Sequence, residues 1–389
     1  MRPSDRVLSL PDPAGNAWAI FERARAMQEA GRPVTMLSIG DHDRTTPAAL
    51  LDQMAQSARA GNTGYAPVPG AAALRAAIAA RAARITGAAT TPEEVTVTPG
   101  GQFALYAALI ATLDPGDRVV MIDPYYATYP LTIRAASGTA VICPADPDRG
   151  FQPDLAALAE AAKGARALLI NSPNNPTGAV YSAETLHGIA EICRKEDLWL
   201  ISDEVYDSQI WDGKTHLSPR SLPGMAERTI VIGSLSKSHV MTGSRLGWMI
   251  APRAVIAPLW EFQIATTYGV PGYTQDMAMH ALTHGDAIAA EVTATYAARR
   301  DMAVRLFEGA NAVRLSPPEG AMYVMLDVRA TGLSGVTFAE RLLDTHAIAV
   351  MPGEGFGAAA AGHVRVALTV EDAALAEALV TLRRFADAL

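Results

Sequence analysis

Short apolar runs alternate with longer amphipathic segments along most of this 389-residue chain. Runs rich in Val, Ile, Leu and Met are typical of buried strands, and apolar residues recurring every three to four positions are typical of helices. Strands are predicted at 34–39, 94–98, 117–122, 139–142, 167–170, 198–202, 229–232, 248–250, 321–327, 348–351 and 363–368. Helices are predicted at 16–30, 48–60, 71–85, 103–113, 153–163, 182–197, 254–266, 285–309, 338–345 and 370–389. The short alternating elements of the last quarter indicate a smaller α+β domain.

Composition and charge narrow the class of protein. Half of the residues are hydrophobic, and the length is enough for two domains and a large core. The formal net charge is −8, and nothing points to a nucleic-acid partner, which usually requires a basic face. No apolar run approaches the roughly 18 residues of a membrane helix. The N-terminus has no apolar stretch after its charges, so a secretory signal is not expected either.

The chain contains only two cysteines, Cys143 and Cys193. Neither has a histidine or another cysteine nearby at metal-ligand spacing, so no metal site is predicted. We interpret both as reduced thiols of a cytoplasmic protein.

The stretch 233–248 carries the strongest candidate chemistry. Lys237 follows the apolar run 229–232, hydroxyl residues flank it, and Arg245 comes eight residues later. An amine at the end of a buried strand is costly unless chemistry there uses it. Guanidinium and hydroxyl donors suit phosphate oxygens, and a lysine amine forms Schiff bases with carbonyl compounds. The alternative is an exposed loop lysine.

Three further features are candidates for ligand contacts. Gly100 and Gly101 join a strand to a helix, and such a turn either aims N–H groups at an anion or is an ordinary tight turn. Asp203 follows the strand 198–202, where a carboxylate is well placed for a ligand unless it caps a helix. Arg365 lies alone in an apolar strand, so it requires an anion, either a ligand or an internal partner.

Together these segments resemble the class I and II aminotransferases, enzymes of fold type I that use pyridoxal phosphate. The lysine segment has the form Ser-x-Ser-Lys, followed by Gly-x-Arg-x-Gly, and the resemblance spans nearly the whole chain. Six motifs carry it in the order of the family: the Tyr65 loop, Gly100-Gly101, the Asn175-Pro176 loop, Asp203 with Tyr206, Lys237 with Arg245, and Arg365.

The resemblance implies a role for each matched residue. Lys237 forms the Schiff base with the cofactor, Asp203 keeps the ring nitrogen protonated, and Tyr206 contacts the ring oxygen. Cofactor contacts are implied for Tyr65 of the neighbouring subunit and for Gly101, Gln102, Tyr126, Asn175, Asp203, Tyr206, Ser234, Lys237 and Arg245. Substrate contacts are implied for Gly40, Asn175 and Arg365, with Arg365 binding the α-carboxylate. The choice of Tyr126 over Tyr125 and Tyr129 rests on the resemblance alone.

The family architecture is α/β, with a mostly parallel sheet flanked by helices in a large domain and a smaller α+β domain beside it. We expect an N-terminal arm at 1–45 that joins the small domain, a large cofactor-binding domain at 46–290 and a small domain at 291–389. The family also implies a homodimer with shared active sites, because the role of Tyr65 requires a second subunit.

The implied activity moves an amino group between an L-amino acid and a 2-oxo acid through Lys237. A C–S β-lyase of the same fold is the alternative, since it keeps every cofactor residue and differs only after Cα deprotonation. The effector-sensing half of a transcription regulator is disfavoured, because only about 40 residues precede the pocket and a DNA-binding domain usually needs at least about 50.

The sequence leaves the substrate open. Arg44 is a candidate second cation for an acidic substrate, unless it belongs to a solvated loop. An apolar or aromatic wall would form instead if four residues face inward: Trp18, Met241, Tyr268 and Tyr273. No role is assigned to three departures from the usual family pattern: His42, which replaces a proline, His239 and Ser244.

Overall fold

Two sheets and the helices around them organise the protein, as seen in a computed structural model that describes residues 1–10 and 18–389. The helices of these residues are α1 (Asp5–Leu8), α2 (Ala19–Glu29), α3 (Ala48–Arg59), α4 (Ala72–Thr86), α5 (Gly101–Thr112), α6 (Tyr129–Ala135), α7 (Leu155–Ala162), α8 (Ala183–Lys195), α9 (Arg253–Thr266), α10 (Gly272–His284), α11 (Asp286–Phe307), α12 (Gly335–His346) and α13 (Asp372–Asp387). The strands are β1 (Thr35–Met36), β2 (Val95–Thr98), β3 (Arg118–Asp123), β4 (Thr139–Pro144), β5 (Ala167–Asn171), β6 (Trp199–Asp203), β7 (Thr229–Ser234), β8 (Gly247–Ile250), β9 (Arg314–Leu315), β10 (Tyr323–Asp327), β11 (Ile348–Ala349), β12 (Met351–Pro352) and β13 (His363–Ala367).

The larger sheet has seven strands in the order β2-β8-β7-β6-β5-β3-β4. Its neighbours pair in parallel except at β8, which runs antiparallel to both β7 and β2. Alternate residues of β3 enter two separate cores, since Met121 packs with α5, α6 and α9 while Val120 packs with α7 and α8. Helices therefore cover both faces, which explains why these strands read as continuous apolar runs. The predicted α/β fold is confirmed.

The smaller sheet has four antiparallel strands in the order β12-β13-β10-β9. It shares one core with α11, α12 and α13. The strand β1 pairs in parallel with β11, so a segment near the N-terminus joins the C-terminal part of the chain. This pairing supports our proposal that residues 1–45 belong with the small domain, whereas the proposed bound between 290 and 291 falls within α11.

Several elements differ from the predicted bounds for local reasons. The helix α6 was not predicted, although Pro130 occupies its first turn, where a missing N–H costs no helical hydrogen bond. The residues 267–275 are predicted from the sequence as a loop before the next helix, but the helix α10 begins within them, at Gly272. The helix predicted from Asn16 begins at Ala19 in the described part of the chain, and Asn16 itself lies outside the described residues.

The parallel arrangement brings the carboxyl ends of the strands to one edge of the large sheet. Asn171 at the end of β5 is in register with Asp203 at the end of β6. Because β8 runs the other way, its first residue, Gly247, pairs with both Thr98 and Ser234. Residues that are far apart in sequence thus meet at the place where ligands bind in such sheets.

Replacing Gly247 by alanine should destabilise the protein. An added Cβ would lie 2.6 Å from backbone atoms of Gly100 and Gly101. Overpacking of this kind costs about 1–3 kcal/mol, so the urea midpoint of unfolding should fall. Gly243→Ala is the matched control, because nothing lies within 4 Å of its added Cβ. An equal loss of stability in both variants would contradict the packing explanation.

Candidate active site

A cavity of about 310 Å³ opens at the carboxyl edge of the large sheet. Predicted site residues from across the chain line it: Gly40, Gly101, Gln102, Tyr126, Asn175, Asp203, Tyr206, Ser234, Lys237, Arg245 and Arg365. Tyr65 is the predicted site residue that does not line this cavity. Its side chain is 91% exposed and packs edge-on against Tyr268, with ring centroids 5.0 Å apart.

Lys237 lies in the loop that follows β7 and reaches the cavity with its amine. Its Nζ donates a hydrogen bond to the backbone oxygen of Gly40, at 2.5 Å. Its own backbone oxygen accepts from Gln209 Nε2 at 3.2 Å. No carboxylate of the described residues forms an ion pair with this amine, which leaves it available to a ligand.

Asp203 provides a buried carboxylate at the end of β6. Tyr129 donates to its Oδ2 at 2.7 Å, and the backbone N–H of Val205 lies 3.3 Å from its Oδ1. Burial raises the pKa of Asp203 to about 6, although the hydrogen bond from Tyr129 opposes the rise. A cation placed against this carboxylate would favour its ionised form.

A candidate anion-binding corner forms where the Gly100-Gly101 turn begins α5. The backbone at Gly100 has a φ of +82°, and an added Cβ there would lie 2.4 Å from Arg245 Nη2, so only glycine leaves room for the guanidinium. Arg245 donates to the backbone oxygen of Thr242 at 2.7 Å and has no carboxylate partner among the described residues. Together with the N-terminus of α5 it presents unbalanced positive charge to the cavity.

Two polar side chains complete this corner. Ser234 Oγ lies 2.9 Å from the backbone oxygen of Leu246 and accepts from the N–H of Ser236 at 3.0 Å. Gln102 is oriented by α6, because its amide donates to Thr132 at 2.8 Å and accepts from Thr128 at 3.0 Å. Hydroxyl and amide donors beside a guanidinium are the groups that bind phosphate oxygens.

Arg365 on β13 is the second unbalanced cation. It is 1% exposed and donates to Asn175 Oδ1 at 2.8 Å and to the backbone oxygen of Ser38 at 2.6 Å, while its Nε has no partner. Its guanidinium lies 4.5 Å from the ring centroid of Tyr323 and 4.6 Å from that of Phe356. No described carboxylate pairs with it, so the internal ion pair considered from the sequence is not found. Burial lowers the pKa of Arg365, a penalty that a bound carboxylate would relieve.

Four tyrosines lie between these groups and line the cavity. Tyr206 and Tyr323 lie with their hydroxyl oxygens 2.9 Å apart, and the rings of Tyr126 and Tyr129 are 5.7 Å apart, edge to face. Tyr323 approaches so closely that a Cβ on Gly40 would lie 1.8 Å from its hydroxyl oxygen. The sequence did not identify Tyr323, because its apolar strand signalled only core packing.

The remaining candidates for the pocket wall lie in several places. Trp18 lines the cavity, as predicted. Met241 does not, because it is buried in the core beneath α3, α4 and α10. Arg44 is paired with Glu291 at 2.7 Å and does not line the cavity of its own chain, which agrees with the alternative of a solvated loop. Tyr268 and Tyr273 are likewise absent from the lining of this cavity.

Residues 1–10 and 18–389 contain neither a membrane-spanning helix nor a metal-binding cluster. No helix there is long and apolar enough to cross a membrane. No cluster of three or more His, Cys, Asp or Glu side chains in the same residues is arranged to hold a metal ion. Cys143 and Cys193 are both buried and unpaired, and burial raises the pKa of Cys193 to about 12, which makes it unreactive.

The chain is similar over nearly its whole length to known aminotransferases. A family model described as aminotransferase class I and II matches residues 32–382. An arginine–pyruvate transaminase of Pseudomonas aeruginosa is 42% identical over 381 residues, covering 97% of this chain and 96% of the relative. An aspartate/prephenate aminotransferase of Thermus thermophilus is 36% identical over 391 residues, 99% of each chain. A solved double mutant of Thermus thermophilus aspartate aminotransferase superposes with a TM-score of 0.92 at 34% identity, covering 99% of this chain and 100% of the other.

Asp203→Asn should change how the stability of the cofactor-free protein depends on pH. The pKa of Asp203 is raised from 3.8 to about 6, so the folded state binds this proton more tightly than the unfolded chain. The resulting stabilisation is complete at low pH and is lost as the pH rises through 6. The asparagine variant has no such titration. Between pH 4 and pH 7 the unfolding free energy of wild type should therefore fall by roughly 2–3 kcal/mol more than that of the variant.

Urea unfolding at pH 4, 5, 6 and 7 measures this difference. Asp197→Asn serves as the control, because the side chain of Asp197 is 90% exposed. Parallel pH profiles for wild type and the Asp203 variant would show that burial does not shift this carboxyl.

Proposed function

This chain belongs to the class I and II aminotransferase family, and on that premise we propose that it transfers the amino group of L-arginine to pyruvate with pyridoxal phosphate bound in its cavity. The family reaction moves an amino group between an L-amino acid and a 2-oxo acid, and family members in general use pyridoxal phosphate. One observation carries the proposal for this cavity. The Lys237 amine and the buried, carboxylate-free guanidinium of Arg365 line the same space.

The residues of the cavity fit pyridoxal phosphate in charge and in shape. The group has an anionic phosphate and a ring nitrogen that is cationic when protonated. Arg245 at the glycine turn supplies positive charge for the phosphate, and buried Asp203 supplies a carboxylate for the ring nitrogen. We propose that the phosphate is held by Gly101, Gln102, Ser234 and Arg245, the ring by Tyr126 and Asp203, and the ring oxygen by Asn175 and Tyr206.

When bound, pyridoxal phosphate supplies a carbonyl carbon that takes up the amino group and a ring that withdraws electrons from the substrate Cα. Side chains of the protein perform the remaining tasks. Arg365 uses two of its five N–H groups on Asn175 and Ser38, so the others are free to bind the substrate α-carboxylate. The Lys237 amine would then remove the proton from Cα, hold it at Nζ and pass it to the carbon that has taken up the amino group.

The charges that line the cavity support a donor without an acidic side chain. The lining cations of the described chain are Lys237, Arg245 and Arg365, and each already has a proposed task. The carboxylate of Asp41 also lines the cavity, which favours a cationic donor such as arginine. The relative from Pseudomonas aeruginosa is named for arginine and pyruvate and supports the same substrates. Aspartate, named in other relatives, would require a further cation that does not line the cavity of this chain.

We also propose a cytoplasmic homodimer. Tyr65 is almost fully exposed, lies outside the cavity of its own chain and packs against the exposed Tyr268. An exposed aromatic pair of this kind is suited to an interface, and in a dimer Tyr65 would reach the cofactor phosphate of the neighbouring subunit. The two unpaired cysteines are consistent with a reducing compartment.

The test is a set of steady-state assays on the protein loaded with pyridoxal phosphate. With pyruvate as acceptor, arginine should give alanine and one 2-oxo acid per amino group, with kcat/KM at least about tenfold above aspartate. A preference for aspartate would overturn the proposed donor but leave the transaminase activity standing. Pyruvate and ammonia released from cysteine derivatives without any acceptor would identify the C–S β-lyase instead.

Lys237→Ala should lower the multiple-turnover rate by at least about 10³-fold, because no other described amine lines the cavity and general base catalysis contributes up to about 10⁴-fold. Alanine formation from arginine and pyruvate measures the rate. Lys163→Ala is the control, since Lys163 is exposed and paired with Glu160. Appreciable turnover by Lys237→Ala would refute the assignment of this lysine.

A further inference from the structure

The loop after β1 is hydrogen-bonded along its length to the segment that carries Lys237. We name residues 40–46 the His42 loop and residues 234–242 the lysine loop. Four hydrogen bonds join them: Lys237 Nζ to the oxygen of Gly40, Thr242 Oγ1 to Asp41 Oδ1 at 2.8 Å, His42 Nε2 to the oxygen of Ser236 at 3.2 Å, and Thr46 Oγ1 to the oxygen of Val240 at 2.5 Å. The position of the lysine loop therefore depends on the His42 loop.

The hydrogen bonds of His42 define which of its nitrogens carries the proton. The Ser236 oxygen is a carbonyl and only accepts, so His42 Nε2 must carry a hydrogen and donate it. In the neutral ring Nδ1 is then bare, and it accepts from the hydroxyl of Tyr296 at 2.9 Å. Burial, followed by the charge of Lys237, lowers the pKa of His42 to about 4, which keeps the ring in this neutral form.

The other side of the His42 loop is fixed to α11. Tyr296 lies on that helix, as does Arg299, which makes paired hydrogen bonds to Asp43 at 2.7 and 3.1 Å. Arg299 also binds Asp372 at 2.7 Å, so α13 is held by the same residue. These contacts make α11 a rigid support on which the imidazole is mounted.

We propose that His42 is a positioning residue that connects α11 to the backbone immediately before Lys237 and thereby sets where the Lys237 amine sits. His42 donates to the backbone oxygen of Ser236, the residue immediately before Lys237. His42 also lies in the same loop as Gly40, whose oxygen accepts the hydrogen bond from the Lys237 amine. Proton transfer is sensitive to ångström-scale misplacement of the transferring group, whereas binding of the substrate carboxylate depends on Arg365. Loss of His42 should therefore lower kcat more than it raises KM. The inference rests on the proposed role of Lys237.

Three substitutions test this chain of contacts. His42→Ala removes both hydrogen bonds and should lower kcat about tenfold with KM for the amino donor changed less than about twofold. His42→Gln retains an N–H donor for Ser236 and should recover most of the loss. Tyr296→Phe removes only the hydroxyl that orients the ring and should give an intermediate kcat.

Arg44→Ala is the matched control. It removes another contact between the His42 loop and α11, the exposed pair with Glu291, without touching the lysine loop. We expect its kcat to stay within about twofold of wild type. An equal loss in Arg44→Ala and His42→Ala, or an unchanged kcat in His42→Ala, would overturn the proposal.

A second measurement uses the cofactor-free protein. Amide hydrogen exchange within residues 236–242 should be faster in His42→Ala and Tyr296→Phe than in wild type and Arg44→Ala, while exchange in β13 stays unchanged. If His42→Ala does not fold, kcat and amide exchange are measured on His42→Gln and Tyr296→Phe instead. Unchanged exchange in residues 236–242 of Tyr296→Phe, together with an unchanged kcat, would refute the role of His42.

Borohydride reduction of the loaded wild-type protein, followed by peptide mapping, separates this inference from the proposed function. Cofactor attached to Lys237 with no effect of His42 would refute only the positioning role. Cofactor attached to another residue would refute the proposed role of Lys237 as well.

Discussion

A buried guanidinium without a carboxylate of its own sets the main constraint on this structure. Taking Arg365 out of water costs several kcal/mol, and the protein offsets that cost with two oxygen acceptors and two aromatic faces. The acceptors come from Asn175, in the loop after β5, and from Ser38, near β1. One side chain thus joins the large sheet, the N-terminal segment and the small sheet, and the cavity forms where these three parts of the chain meet.

The same cavity contains a negative and a positive side chain at two different places. Buried Asp203 lies at the end of β6, whereas Arg245 lies against the glycine turn between β2 and α5. A ligand with one cationic and one anionic end is able to satisfy both in a single orientation. Neither Asp203 nor Arg245 forms an ion pair with another described residue, so a ligand would supply both counter-ions. The orientation of the ligand is therefore selected by charge before any covalent chemistry begins.

Much of the fold and the cavity was predictable from the sequence, because the residues concerned occupy positions that strand patterns reveal. Asp203 and Lys237 come directly after apolar runs, and parallel strands bring such ends together. Arg365 was recognisable as one charge in an apolar strand. Tyr323 was not, because its role depends on a hydroxyl contact with Tyr206 and on the missing Cβ of Gly40. These contacts are tertiary, and strand patterns carry no trace of them.

Two other features depend on information that strand patterns do not contain, and for different reasons. His42 gains its partners from Ser236 and from Tyr296 on α11, which are 194 and 254 residues further along the chain, so the sequence assigned it no role. Tyr65 lies outside its own cavity, and the reason offered for it involves a second subunit. The partners of His42 are distant in sequence, and the proposed role of Tyr65 requires a second subunit.

The short segment 38–40 supplies a carbonyl oxygen to each of the two groups that we propose to act on the substrate. The oxygen of Ser38 receives Arg365, and two residues later the oxygen of Gly40 receives Lys237. A shift of this segment would move both groups at once, so substrate affinity and proton transfer are mechanically linked through it. New donor specificity is therefore more easily obtained from walls that are independent of the segment, such as Trp18, than from the segment itself.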